Sequence, residues 1–118
     1  MTKKKVVAVL SDLMFTVKIQ DAAKRADVDV VFVNSPHDAL AQAKLGPAAM
    51  ILDLNHGAPL DLIGKLKDDE QTRGIALLGF VSHVQAELIQ AARAKGCDRV
   101  MARSAFSQNL QAILAELA

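Results

Sequence analysis

The sequence predicts an α/β fold: a doubly wound parallel sheet of five strands with helices on both faces. Three observations predict it. Apolar runs of strand length recur five times, stretches with helical spacing stand between them, and turn residues separate the two kinds. Runs that are apolar throughout, rather than alternating, belong to strands covered on both faces. Alternation of the two element types implies parallel pairing, and right-handed crossovers then place helices on both sides of the sheet.

The first run is Val6-Val7-Ala8-Val9-Leu10, followed by Ser11-Asp12. Phe15, Ile19, Ala22, Ala23 and Ala26 then share one helical face. A second strand is expected over Asp27 to Val33, stopped by Asn34-Ser35-Pro36. Ser35-Pro36-His37-Asp38 reads as an N-cap, a proline at the first helical position and an acid in the first turn. The third strand, Ala48 to Leu52, is entered through Gly46-Pro47 and ends at Asp53. Leu60 to Leu66 is a short amphipathic stretch, and Ile75 to Val81 is the fourth strand. Ser82-His83-Val84-Gln85 has the form of a capping box opening a helix through Lys95, with Gly96 at its C-terminal end. Arg99 to Ala102 is the fifth and shortest strand. Leu110, Ile113, Leu114 and Leu117 give the last helix its buried stripe.

A chain of 118 residues has room for one domain, expected over 1–118, and 52% hydrophobic residues give it a sizeable core. Aromatics are 3%, so the core is mainly aliphatic. The formal net charge of +1 argues against a nucleic-acid surface, which needs clustered positive charge. The one basic run, Lys3-Lys4-Lys5, reads as a solubilising lead-in to a strand. The single cysteine, Cys97, excludes an internal disulfide, suits a reducing compartment and is expected to be buried packing. No apolar run approaches the ~18 residues of a membrane span, and the apolar stretch behind the N-terminal lysines is too short for a signal peptide. A soluble cytoplasmic protein is expected. His37, His56 and His83 lack metal-site spacing. No glycine-rich phosphate loop, Ser-His-Asp arrangement or Cys-x-x-Cys is present.

In a doubly wound sheet the functional crevice lies beyond the carboxyl ends of the strands, where strand order reverses. Those ends carry Ser11-Asp12 after the first strand, Asp53-Leu54-Asn55 after the third, Ser82 after the fourth and Arg103-Ser104 after the fifth. Two carboxylates, two hydroxyls and a guanidinium could converge there. On the residues alone, Asp53 could equally cap the loop that follows it, Asp12 and Ser82 could each cap a helix, and Arg103 could rest on Asp53 as a resident salt bridge.

This layout resembles the receiver domains of response regulators, which have the flavodoxin-like, CheY-like arrangement, over nearly the whole chain. Receivers have an acidic pair after the first strand, a phosphorylated Asp after the third, a Ser or Thr after the fourth, and a Lys-Pro after the fifth. The resemblance implies that Asp53 is the phosphoacceptor and that Ser82 and Arg103 read the phosphoryl group. It also implies Mg²⁺ held by Asp12, Asp53 and the Asn55 carbonyl. A hard divalent ion offsets crowded negative charge while a carboxylate attacks phosphorus.

The departures cluster around the same pocket. Ser11 replaces the first acid, leaving one fewer negative ligand for Mg²⁺. Arg103 keeps the charge but exchanges a point ammonium for a planar fork. Ser104 and Gly57 stand where prolines are usual, His83 follows Ser82 where a small residue is usual, and Val100 takes the place of an aromatic switch residue.

The leading expectation is a single-domain receiver in a two-component phosphorelay, not an enzyme. It takes a phosphoryl group from a histidine kinase or phosphotransfer protein and signals to a downstream protein through its last two helices and fifth strand. No effector domain is expected after Ala118 in this chain, so the output is expected to need another molecule or a truncated remainder. The alternative is a pseudo-receiver, an interaction module without phosphoryl chemistry; a small-molecule-binding domain on the same fold is a weaker rival. Whether the domain forms a homodimer is left open.

Overall fold

The computed structural model describes residues 4–55, 59–82 and 85–117. Five strands, β1 (Lys5–Val9), β2 (Asp29–Val33), β3 (Ala49–Asp53), β4 (Ala76–Val81) and β5 (Arg99–Ala102), form one parallel sheet in the order β2-β1-β3-β4-β5. They alternate with α1 (Leu13–Ala26), α2 (Pro36–Ala43), α3 (Pro59–Asp68) and α4 (Ala86–Lys95), and two short helices follow β5: α5 (Arg103–Gln108) and α6 (Leu110–Leu117). The fold is the doubly wound, flavodoxin-like sheet expected from the sequence, and its strand order reverses between β1 and β3.

The central strands divide their side chains between two cores, because successive residues of a strand point to opposite faces. Val6, Ala8, Ala49, Ile51, Leu78 and Phe80 pack with α1, α5 and α6. Val7, Met50, Leu52, Leu77 and Val81 pack with α2, α3 and α4. The three central strands are therefore almost wholly buried, as their continuous apolar runs require. Burying a Leu, Ile or Phe side chain contributes roughly 1.5–3 kcal/mol.

Local signals are realised closely at several ends. Ser35 caps α2 by accepting from the Asp38 amide, with Pro36 at the first helical position. Gly96 ends α4 in the left-handed region at φ 113°, where a side chain is strained. Cys97 is buried, as expected. Elsewhere the structure differs. β2 begins at Asp29, not Asp27, because Asp27 closes α1 in the left-handed conformation. β1 stops at Val9 and β3 extends to Asp53. The stretch expected over Leu60 to Leu66 is a longer helix.

The expected capping box is corrected. α4 has Gln85 at its N-cap with no side-chain capping bond, so Ser82 does not open the helix. The Ser82 amide instead donates to the side chain of Asn55 at 2.6 Å, which holds residue 82 at the strand end. A further helix, α5, begins directly at Arg103, where no periodic signal marked one.

Candidate functional site

The candidate residues stand along the C-terminal edge of the sheet, on the two sides of the β1/β3 reversal. Asp12 follows β1 and is the N-cap of α1: its Oδ1 accepts from the Phe15 amide at 3.1 Å. Its other oxygen, Oδ2, accepts from the Arg103 guanidinium at 2.5 Å. The guanidinium beside Asp12 and, secondly, the Phe15 amide hold this carboxyl below the usual carboxylate range, against a smaller opposing effect of desolvation. Arg103 thus pairs with Asp12, an acid that the sequence reading of a resident salt bridge did not name.

Beneath the pair lies an aromatic floor. The Arg103 Cζ is 4.5 Å from the centroid of the Phe15 ring, a cation–π distance. Phe15 meets Phe80 and Phe106 edge to face at 5.2 and 5.7 Å, and Phe80 and Phe106 stack at 5.2 Å. Three of the chain's four phenylalanines are gathered here. They tie the first turn of α1, the end of β4 and α5 into one unit.

Asp53 is the last residue of β3, registered opposite Phe80 on β4, and is 3% exposed. It follows the parity of Ala49 and Ile51, so its side chain belongs to the α1/α5 face, where Arg103 lies. Its Oδ1 accepts from the Asn55 amide at 3.1 Å, which closes a tight turn after the strand. Leu54, between them, is buried against β4 directly over Gly79. A Cβ at Gly79 would stand 2.7 Å from the Leu54 Cδ1 and 3.0 Å from its Cγ. Glycine at 79 is what lets this turn lie down on the sheet.

Asn55 was expected to matter through its carbonyl. Its side chain does more: Oδ1 accepts from the Ser82 amide and Nδ2 donates to the Gln85 Oε1, both at 2.6 Å. One amide therefore pins the turn after β3 to the loop after β4. The predicted residues form two groups, Asp12 with Arg103 and Asp53 with Asn55 and Ser82. His56, Gly57 and His83 lie outside the described residues, as does Lys3 of the basic run. Val100 is half-buried, at the margin of the α2/α3/α4 core.

The Mg²⁺ set implied by the resemblance was Asp12, Asp53 and Asn55. Mg²⁺ requires near-octahedral oxygen ligands and dehydrates reluctantly. Here both oxygens of Asp12 are engaged by N–H donors and Ser11 brings no charge. Among the described residues no three His, Cys, Asp or Glu side chains are grouped to hold a metal ion. As placed, these residues do not fit a divalent cation. No helix of the described residues is long and apolar enough to cross a membrane.

No protein-family model and no curated protein sequence matches the chain. Solved structures do. A chemotaxis response regulator of Vibrio cholerae, CheY4, superposes with a TM-score of 0.84 at 18% identity, over 99% of this chain and 100% of its own. A response regulator from Hahella chejuensis gives 0.85 at 18% identity, over 98% and 95%. The response regulator Rcp1 gives 0.81 at 13% identity, over 93% and 91%, and was solved with Mn²⁺ bound. The chain has the fold of a CheY-like receiver domain, as its layout implied.

Proposed function

We propose that the chain is a cytoplasmic receiver module of a two-component phosphorelay, taking a phosphoryl group on Asp53 from a histidine kinase or phosphotransfer protein. The observation that carries this reading is the placement of Asp53. It is a carboxylate at the end of the central strand β3, beside the strand-order reversal, on the same face as a fixed guanidinium.

In the transfer, an Asp53 oxygen forms a bond to phosphorus as the phosphorus–nitrogen bond of the donor phosphohistidine breaks. The electron pair stays on the imidazole, which takes a proton from solvent. Such transfers depend on positioning and charge stabilisation. Arg103 keeps N–H donors beyond the one given to Asp12, since a guanidinium has five, and with the Ser82 hydroxyl it reads the new phosphoryl oxygens. Ser82 is coupled to the turn that carries Asp53 through Asn55, so an acyl phosphate that shifts the turn also shifts the loop after β4. The output is a change at α4, β5 and α6, read by a downstream protein.

The donor's docking site is the first two turns of α1. Leu13, Met14 and Val17 are 81%, 80% and 66% exposed, an apolar face beside Asp12 at the rim of the pocket. The Asp12–Arg103 pair favours a second reading, a pseudo-receiver that binds partners without phosphoryl chemistry. Incubation with acetyl phosphate, followed by intact mass, separates the two. One added phosphoryl group on the parent and none on Asp53→Asn supports the receiver. No adduct on the parent sinks it in favour of the pseudo-receiver.

A further inference from the structure

We infer that this pocket takes no divalent cation and that Arg103, locked between the Asp12 carboxylate and the Phe15 ring, supplies its positive charge instead. The inference deepens the receiver reading and rests on it for the role of Asp53. The carboxylate that would face a metal is committed twice, to the α1 N-terminus through Phe15 and to Arg103. The guanidinium is held from below as well as from the side, 4.5 Å over a ring that is itself wedged against Phe80 and Phe106. Its backbone is equally restrained, because Arg103 opens α5 immediately after β5.

The topology explains why one arginine reaches where an ion would be. In the order β1-β3-β4-β5, an ion pair between Asp12, in the loop after β1, and Arg103, directly after β5, spans the ends of β3 and β4. It does so on the face to which Asp53 and Phe80 both belong. Charge accounts for the rest. Among the described residues, Ser11 in place of an acid leaves two carboxylates, Asp12 and Asp53, with the Arg103 guanidinium beside Asp12. A third carboxylate would raise the negative charge that a metal must offset. A divalent cation approaching Asp12 would have to displace a charge-assisted hydrogen bond and then sit beside the displaced guanidinium.

Mn²⁺ titration tests this on the intact chain, read by the electron paramagnetic resonance signal of free Mn²⁺. The parent protein should leave the signal undepleted at millimolar Mn²⁺. Arg103→Gln, which releases Asp12, should bind at least about tenfold more tightly than the parent. Saturable binding by the parent that Asp12→Asn weakens would overturn the inference, and this arm needs no Arg103 variant to fold. An Arg103→Gln protein with a native far-ultraviolet circular dichroism spectrum and unchanged affinity would overturn it too. A second arm keeps the inference apart from the reading beneath it: acetyl phosphate labelling with a chelator present against labelling with Mg²⁺. Equal adduct in both supports metal independence. An adduct that requires Mg²⁺ overturns the inference and leaves Asp53 as acceptor. No adduct in either refutes the acceptor reading, and the Mn²⁺ titration then decides the inference alone.

Discussion

Replacing Gly79 by alanine reaches the site from behind, through a residue that touches none of its polar groups. The added Cβ would stand 2.7, 3.0 and 3.2 Å from the Leu54 Cδ1, Cγ and Cδ2. Because the branch carbon is among them, a rotation of one methyl does not relieve the contact; Leu54 must move as a body. It is buried among Leu52, Leu77 and Val81, so the displacement meets close-packed side chains. Overpacking of this kind costs about 1–3 kcal/mol, offset by about 0.5–1 kcal/mol from removing glycine from a strand interior. A net loss of about 1–2 kcal/mol follows, or a melting temperature lower by roughly 5–10 °C for a domain of this size. Since Leu54 lies between Asp53 and Asn55, the same shift loosens the turn, and the amide of Ser82 should exchange faster. Urea denaturation followed by circular dichroism gives the first quantity and hydrogen exchange the second. A Gly79→Ala protein as stable as the parent, with unchanged exchange at Ser82, would refute the argument that Leu54 needs the bare backbone of β4.

Asn55→Ala removes two side-chain hydrogen bonds to the loop after β4. At about 1 kcal/mol each this lowers stability by about 1–2 kcal/mol and speeds amide exchange of Ser82 about tenfold; exchange as slow as in the parent would show that the loop is held by something else. The Asp12 carboxyl is held below its ordinary range by Arg103 and Phe15, so its contribution to stability is present above the unfolded-state value and lost as pH falls through the lowered one. Thermal melts across acid pH should therefore fall less steeply for Asp12→Asn than for the parent, and parallel curves would contradict the pairing. Burial pushes the Cys97 thiol up, so an aromatic disulfide reagent should label it only slowly in the native protein and rapidly in urea; fast native labelling would contradict its burial.

Signals carried within a few residues were legible in the sequence. The apolar runs gave β3 and β4 nearly to the residue, and Ser35-Pro36 and Gly96 marked their helix ends because caps act within a turn. The positions of the candidate residues at the strand ends were legible too, since the apolar runs mark where each strand stops. Contacts between distant segments were not. Arg103 and Asp12 are 91 residues apart, and Asn55 and Ser82 are 27 apart, so no local pattern could show which acid the arginine takes or that an asparagine side chain spans two loops. The same bond explains the failed capping box: Ser82 had the right neighbours, but its amide was already held from outside the helix. The fit of Leu54 over Gly79 and the aromatic floor under Arg103 depend on register and packing, which appear only when the sheet is assembled.

The central claim is that Asp53 is the residue that carries the phosphoryl group. It is tested most directly by labelling the parent protein with acetyl phosphate, reducing the acyl phosphate with borohydride and locating the modified residue by peptide mass spectrometry. Homoserine at position 53 and nowhere else is the result this account predicts. Homoserine at another aspartate, Asp12 included, or none at all, would contradict it.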